Sequence, residues 1–226
     1  MAVNWDACGI NNAENLKHGG VRYSFRYFRG GQVRYNGIYN RQQMPKVLLI
    51  GDSMPKFYDD KEVDVVSLPG CRALDLRGAY TLLENEYRSY SEIVLWVGGN
   101  SYGGGNVMEP EAVVEQIETI SHEFAEYYNA PTRVLGLAVR KQPGQYYDLC
   151  KRQNELMQLS PNLAYIGVGS KLSGNTVISG EDDIHLSFYG LAGLRKVILD
   201  NVLSKYVKVE DLGNFRLGRF AFVSLG

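Results

Sequence analysis

The sequence predicts an α/β protein: a three-layer α/β/α sandwich around a mostly parallel five-stranded sheet, with an amino-terminal β-hairpin arm ahead of it. Short aliphatic runs recur from residue 46 onward without polar alternation, as strands covered on both faces require. Longer segments of helical periodicity separate them, and the chain changes to Gly, Ser, Asp and Asn where each run ends. With 226 residues and 45% hydrophobic content, the chain can build one substantial core but has little length for a second. We divide it into a basic aromatic arm (1–45), a core domain (46–205) and a tail (206–226).

The five predicted strands are "KVLLI" (46–50), "DVVSL" (64–68), "IVLWV" (93–97), "RVLGLAV" (133–139) and "AYIGV" (164–168). The clearest helix spans 110–128: Pro110 fits its first turn, and Val113, Ile117, Ile120 and Phe124 form one stripe. The last spans 187–205, capped by Ser187, with Leu191, Leu194, Ile198 and Val202 on its buried face. Crossovers between parallel strands place ligands beyond the strands' carboxyl ends. Four polar motifs fall there: Gly51-Asp52-Ser53, Gly70, Gly98-Gly99-Asn100 and "EDDIHLS" (181–187).

Composition narrows the function. No apolar run approaches the ~18 residues of a membrane span, and the first residues lack the order of a secretory signal, so an intracellular, cytoplasmic protein is expected. Cys8, Cys71 and Cys150 have no metal-knuckle spacing and predict reduced thiols. Asp59, Asp60 and Asp64 lack EF-hand spacing, so neither a metal nor a cofactor is assigned. "GGNSYGGG" lacks the Lys-Ser/Thr of a phosphate loop, and there is no GxSxG elbow. The net charge of −1 conceals segregation: residues 15–51 carry seven cations and no acid, leaving 17 cations against 25 acids elsewhere.

Acyl chemistry needs a hydroxyl, a base within hydrogen-bond reach, an acid orienting that base, and donors facing the oxyanion. Of the three histidines, His122 falls opposite the apolar stripe of its helix and His18 lies in the basic arm. His185 alone falls at a strand-end edge, three residues after Asp182. Each motif by itself also fits an ordinary turn or a capped loop; their order, one per strand end, is what points to a site. Asp183 is read as a solvated neighbour of Asp182.

Together these residues resemble the four blocks of the SGNH/GDSL hydrolase superfamily over about residues 46 to 205. The resemblance implies Ser53 as nucleophile, His185 as base and Asp182 as orienting acid. It likewise implies an oxyanion hole built from the backbone N–H groups of Ser53 and Gly70 and the side chain of Asn100. Met54 replaces the usual first-block Leu, and Ser101 replaces the usual Asp after the third-block Asn. The implied activity is that of a serine esterase or deacetylase acting on a small-molecule, lipid or carbohydrate ester. Short acyl groups are expected in a pocket around Met54, Tyr102 and residues 169–181.

The arm alternates strongly over 19–39, with Tyr23, Phe25 and Tyr27 on one strand face, Arg22 and Arg26 on the other, and "RGGQ" as the turn. Two uses are open. The hairpin can pack its rings on the core domain, or it can present Arg22, Arg26, Arg29 and Arg34 to RNA phosphates while the rings stack on bases. The tail "NFRLGRFAFVSLG" (214–226) has similar texture and is a candidate partner of the hairpin. "LLIGDSM", "SLPGCRALDL" and "DDIHLSFYG" are similar to the esterase domains of LINE-type retrotransposon first-open-reading-frame proteins, and an SGNH-like domain in Oskar binds RNA. A binding module for RNA or protein is therefore the alternative function.

Overall fold

The computed structural model describes residues 10–18, 21–28, 31–38, 47–58, 60, 62–68, 70–77, 90–103, 107–138, 144–168, 172 and 185–206. In the arm, strands β1 (Ile10–His18), β2 (Val21–Phe28) and β3 (Gly31–Ile38) form an antiparallel sheet in that order. The predicted hairpin corresponds to β2 and β3, whose register runs from Val21 opposite Ile38 to Phe28 opposite Gly31. β1 adds a strand that the sequence did not announce. Its Asn-rich segment has low strand propensity, and backbone pairing along β2 supplies what side-chain pattern does not. Arg29 and the tail 207–226 lie outside the described residues, as do the side chains of Arg22, Arg26 and Arg34.

The core sheet contains β4 (Val47–Gly51), β5 (Val63–Ser67), β6 (Glu92–Trp96), β7 (Thr132–Leu135) and β8 (Ala164–Ile166). Its spatial order is β5-β4-β6-β7-β8, and each neighbouring pair is parallel. Every residue of β4, β5 and β6 is buried, which accounts for their largely apolar character without polar alternation. The chain leaves β4 in one direction to form β5, then crosses back over β4 to form β6. The carboxyl ends of β4 and β6 therefore flank the topological switch point, where such sheets open a crevice.

β7 ends at Leu135, four residues before the predicted boundary: Gly136 N–H still donates to the Ile166 carbonyl at 3.0 Å, but the backbone groups after it are taken by side chains. The indole of Trp96 donates to the Gly136 carbonyl at 2.9 Å. The Asn154 amide both accepts from Leu137 N–H at 2.7 Å and donates to Leu137 C=O at 3.0 Å. Residues 136–138 are thereby held as a fixed loop.

Helices α1 (Pro110–Tyr128), α2 (Gln145–Leu159) and α3 (Phe188–Asn201) complete the α/β/α sandwich. α1 has Pro110 in its first turn, buries the predicted stripe and ends at left-handed Asn129, whose N–H reaches back to the Ala125 and Glu126 carbonyls. Gly190 N–H donates to the Ser187 Oγ cap of α3 at 3.2 Å. α3 is shorter than predicted: it stops at Asn201, and Leu203–Lys205 form a separate 3-10 turn. The sequence does not delimit α2, since its buried positions are Cys150, Gln153 and Met157, too few and too polar for an apolar stripe.

Two buried carboxylates fasten the layers. Glu92 accepts from Arg133, from Lys205 Nζ at 3.2 Å and from the Tyr206 hydroxyl at 3.0 Å, joining the amino end of β6 to the chain after α3. Asp60 accepts from Arg195 Nε of α3 at 3.0 Å. Among the described residues, no helix is long and apolar enough to cross a membrane.

Candidate functional site

The site begins where β4 and β6 meet most closely. A Cβ on Gly51 would lie 2.0 Å from the Trp96 carbonyl oxygen, so this strand approach excludes any side chain. Asp52 N–H then donates to the same carbonyl at 3.2 Å. The Asp52 carbonyl accepts from Ser67 Oγ at 2.7 Å and Leu68 N–H at 3.1 Å, tying it to β5. Its carboxylate turns forward and accepts Met54 N–H at 2.9 Å, an Asx turn that opens the 3-10 turn Met54–Phe57. Ser53 occupies the cap of that turn and is half-buried. The turn at the end of β4 is thus also the device that holds Ser53 at the crevice.

The loop after β5 carries Gly70 at φ +80°, a conformation that suits glycine, and turns back through Cys71 N–H to the Leu68 carbonyl at 3.0 Å. The loop after β6 turns at Gly98, φ +126°, and continues as the 3-10 turn Gly99–Tyr102. Asn100 Nδ2 donates to the Cys71 carbonyl at 2.9 Å, which joins the two loops.

Behind the Asn100 loop stands Gln153 of α2, 0% exposed. Its Nε2 donates to the Val97 carbonyl at 3.3 Å, and its Oε1 accepts from the Tyr102 hydroxyl at 2.8 Å. A Cβ on Gly98 would lie 2.4 Å from that Nε2. With Ser101 where an Asp was the usual residue, the loop is held by Gln153, Tyr102 and the Cys71 carbonyl.

A cleft of about 310 Å³ opens here and is lined by Ser53, Asn100 and His185, together with Asp52. His185 arrives just before the Ser187 cap of α3. The structure therefore brings three of the predicted site residues to one cleft, with Gly70 in the loop that anchors Asn100. Asp182 lies outside the described residues, as does most of 169–181. His122 is 75% exposed and pairs with Glu126 on the outer face of α1.

Among the described residues, the apolar part of the wall comes from Met54, Leu137, Ala138 and the ring of Tyr146. Tyr102 does not line the cleft as expected: it is 5% exposed and bonded to Gln153, because the 3-10 turn directs it into the core. Tyr146 stands in front of it. Leu137 and Ala138 belong to the predicted strand 133–139, and their departure from its ladder is what delivers them to the wall. Burial also shapes the electrostatics. Asp52, 2% exposed, has its carboxyl pushed up to about 7 despite the N–H groups of Met54 and Ser53 that favour its anion. Burial likewise pushes the Tyr102 phenol up.

No protein-family model matches the chain, and no curated protein matches it in sequence. Solved structures do match. A member of the lipolytic G-D-S-L family from Veillonella parvula is similar at TM-score 0.56 and 15% identity, covering 69% of this chain and 97% of that one. A carbohydrate acetylesterase from Sinorhizobium meliloti is similar at TM-score 0.51 and 14% identity, covering 71% and 99%. The esterase domain of a zebrafish retrotransposon ORF1 protein aligns at TM-score 0.36 and 19% identity over 68% and 96%, too loosely to add weight. The chain has the SGNH hydrolase fold.

Proposed function

We propose that the protein is a serine esterase or deacetylase that hydrolyses a carboxylic ester with a short acyl group. The observation that carries this is the convergence of Ser53, Asn100 and His185 on one cleft at the switch point of the sheet. In the proposed reaction, Ser53 Oγ attacks the ester carbonyl while His185 takes its proton, and the imidazolium returns that proton to the departing alcohol. Water then adds to the acyl-enzyme with His185 again as base, which releases the carboxylic acid and restores Ser53. Asp182, three residues upstream, is assigned to hold the imidazole.

The oxyanion would be met by the backbone N–H groups of Ser53 and Gly70 and by Asn100. A primary amide carries two N–H groups; one of Asn100's fastens the loop to Cys71, and the other serves as the proposed donor. The lipolytic and acetylesterase relatives of the fold support ester hydrolysis as the reaction class.

The test is labelling by a fluorophosphonate probe together with hydrolysis of short-chain aryl esters, each compared with Ser53→Ala. Ser53-dependent labelling and turnover are expected. A wild-type protein that neither labels nor hydrolyses, yet retains RNA in a salt-sensitive manner, would replace the enzyme with the binding module.

A further inference from the structure

We infer that Tyr146 is the specificity-determining wall of the cleft and limits the acyl group to short chains. The inference rests on the esterase reading and goes beyond it by naming the residue that measures the substrate. Tyr146 lines the same cleft as Ser53 and His185. Its hydroxyl lies 2.9 Å from the point where a Cβ on Gly99 would be, so the side chain reaches across the residue immediately before Asn100. The acyl chain of an ester bound at Ser53, with its carbonyl oxygen toward Asn100, runs along this wall.

A wall measures chain length only if it cannot recede, and this one is backed in two places. The ring of Tyr146 meets that of Tyr102 edge-on, with centroids 6.3 Å apart and planes at 81°. Tyr102 is itself fixed by its hydrogen bond to fully buried Gln153. On the adjoining side, Leu137 has both backbone polar groups bonded to the Asn154 amide. Gln153 and Asn154 are successive residues of α2, so one helix braces both parts of the wall and also supplies Tyr146 from its first turn. The cleft volume, about 310 Å³, is at the small end of the range of roughly 300–1,000 Å³ for ligand pockets.

The experiment compares kcat/KM for p-nitrophenyl acetate, butyrate and octanoate in the full chain and in Tyr146→Ala and Tyr146→Phe, with Ser53→Ala as blank. Wild type is expected to favour acetate or butyrate. Tyr146→Ala is expected to raise the octanoate-to-acetate ratio about ten-fold or more, since each methylene accommodated by an apolar pocket changes discrimination by about that factor. Tyr146→Phe keeps the ring and is expected to keep the wild-type preference.

Ser53-dependent hydrolysis with an unchanged ratio in Tyr146→Ala overturns the inference while leaving the esterase standing, as does a wild-type preference for octanoate. Absence of Ser53-dependent hydrolysis of every ester overturns both. If Tyr146→Ala fails to fold by thermal melt, Tyr146→Leu is measured under the same criteria.

Discussion

Asn100 donates its side-chain amide to the main-chain carbonyl of Cys71 at 2.9 Å, so the loop after β6 is fastened to the loop after β5. One side chain thereby fixes the spacing of two proposed oxyanion donors, its own and the Gly70 N–H one residue before Cys71. Asn100→Ala is expected to lower kcat by about 10²–10³. Loss of the single part-buried hydrogen bond is expected to cost only about 1 kcal/mol of stability. Ester turnover and a urea midpoint on the same preparation separate the two effects. Wild-type turnover in a folded Asn100→Ala protein rejects the donor role.

Gly51 is required by backbone approach rather than by turn conformation. Its missing Cβ would stand 2.0 Å from the carbonyl oxygen of Trp96, and both atoms belong to the central pair of strands, where neither can move aside. Gly51→Ala is expected to destabilise by about 3 kcal/mol or more, the upper end of overpacking costs. Gly103→Ala, where the added carbon meets nothing within 4 Å, is the control and is expected to stay within about 0.5 kcal/mol of wild type. Equal denaturation midpoints for the two variants would refute the packing argument.

That close approach also shows why one part of the site is legible in the sequence and another is not. "KVLLIGDS" announces itself because β4 is buried on both faces and must end in residues that fit a tight exit beside β6. α1 is equally plain, since its stripe is wholly apolar. The wall of the cleft carries no such pattern. Gln153 and Asn154 read as surface residues, and only the fold reveals that loop carbonyls and the Tyr102 hydroxyl use their amides. Tyr102 and Tyr146 are indistinguishable by type, so which lines the cleft is decided by the turn Gly99–Tyr102 and not by composition.

Gln153 and Tyr102 should behave as one unit. Gln153→Leu strands the Tyr102 hydroxyl and the Val97 carbonyl in the core, and Tyr102→Phe strands the Gln153 oxygen. Each single substitution is expected to cost about 1–3 kcal/mol, the penalty for leaving a buried polar group without a partner. The double variant removes both ends of their shared bond and is expected to cost less than the sum. A double-mutant cycle on unfolding free energies measures the coupling, and strict additivity would show that the two side chains do not depend on each other.

The buried carboxyl of Asp52 gives the fold a pH dependence of definite sign. Its folded pKa is raised to about 7 by burial, against about 3.9 in an unfolded chain. Between these values the folded state holds the proton and the unfolded state does not, so stability falls as pH rises. The contribution is fully present below about pH 4, is lost progressively toward about pH 7, and is constant above that. The three-unit difference sets its size at about 4 kcal/mol. Asp52→Asn keeps an oxygen to accept Met54 N–H while removing the ionisation. Its stability relative to wild type is therefore expected to improve steadily from pH 4 to pH 7 and to level off by pH 8. Urea midpoints across that range decide the matter: parallel curves for the two proteins would mean that Asp52 stays ionised in the fold and that the cleft admits enough water to keep it so.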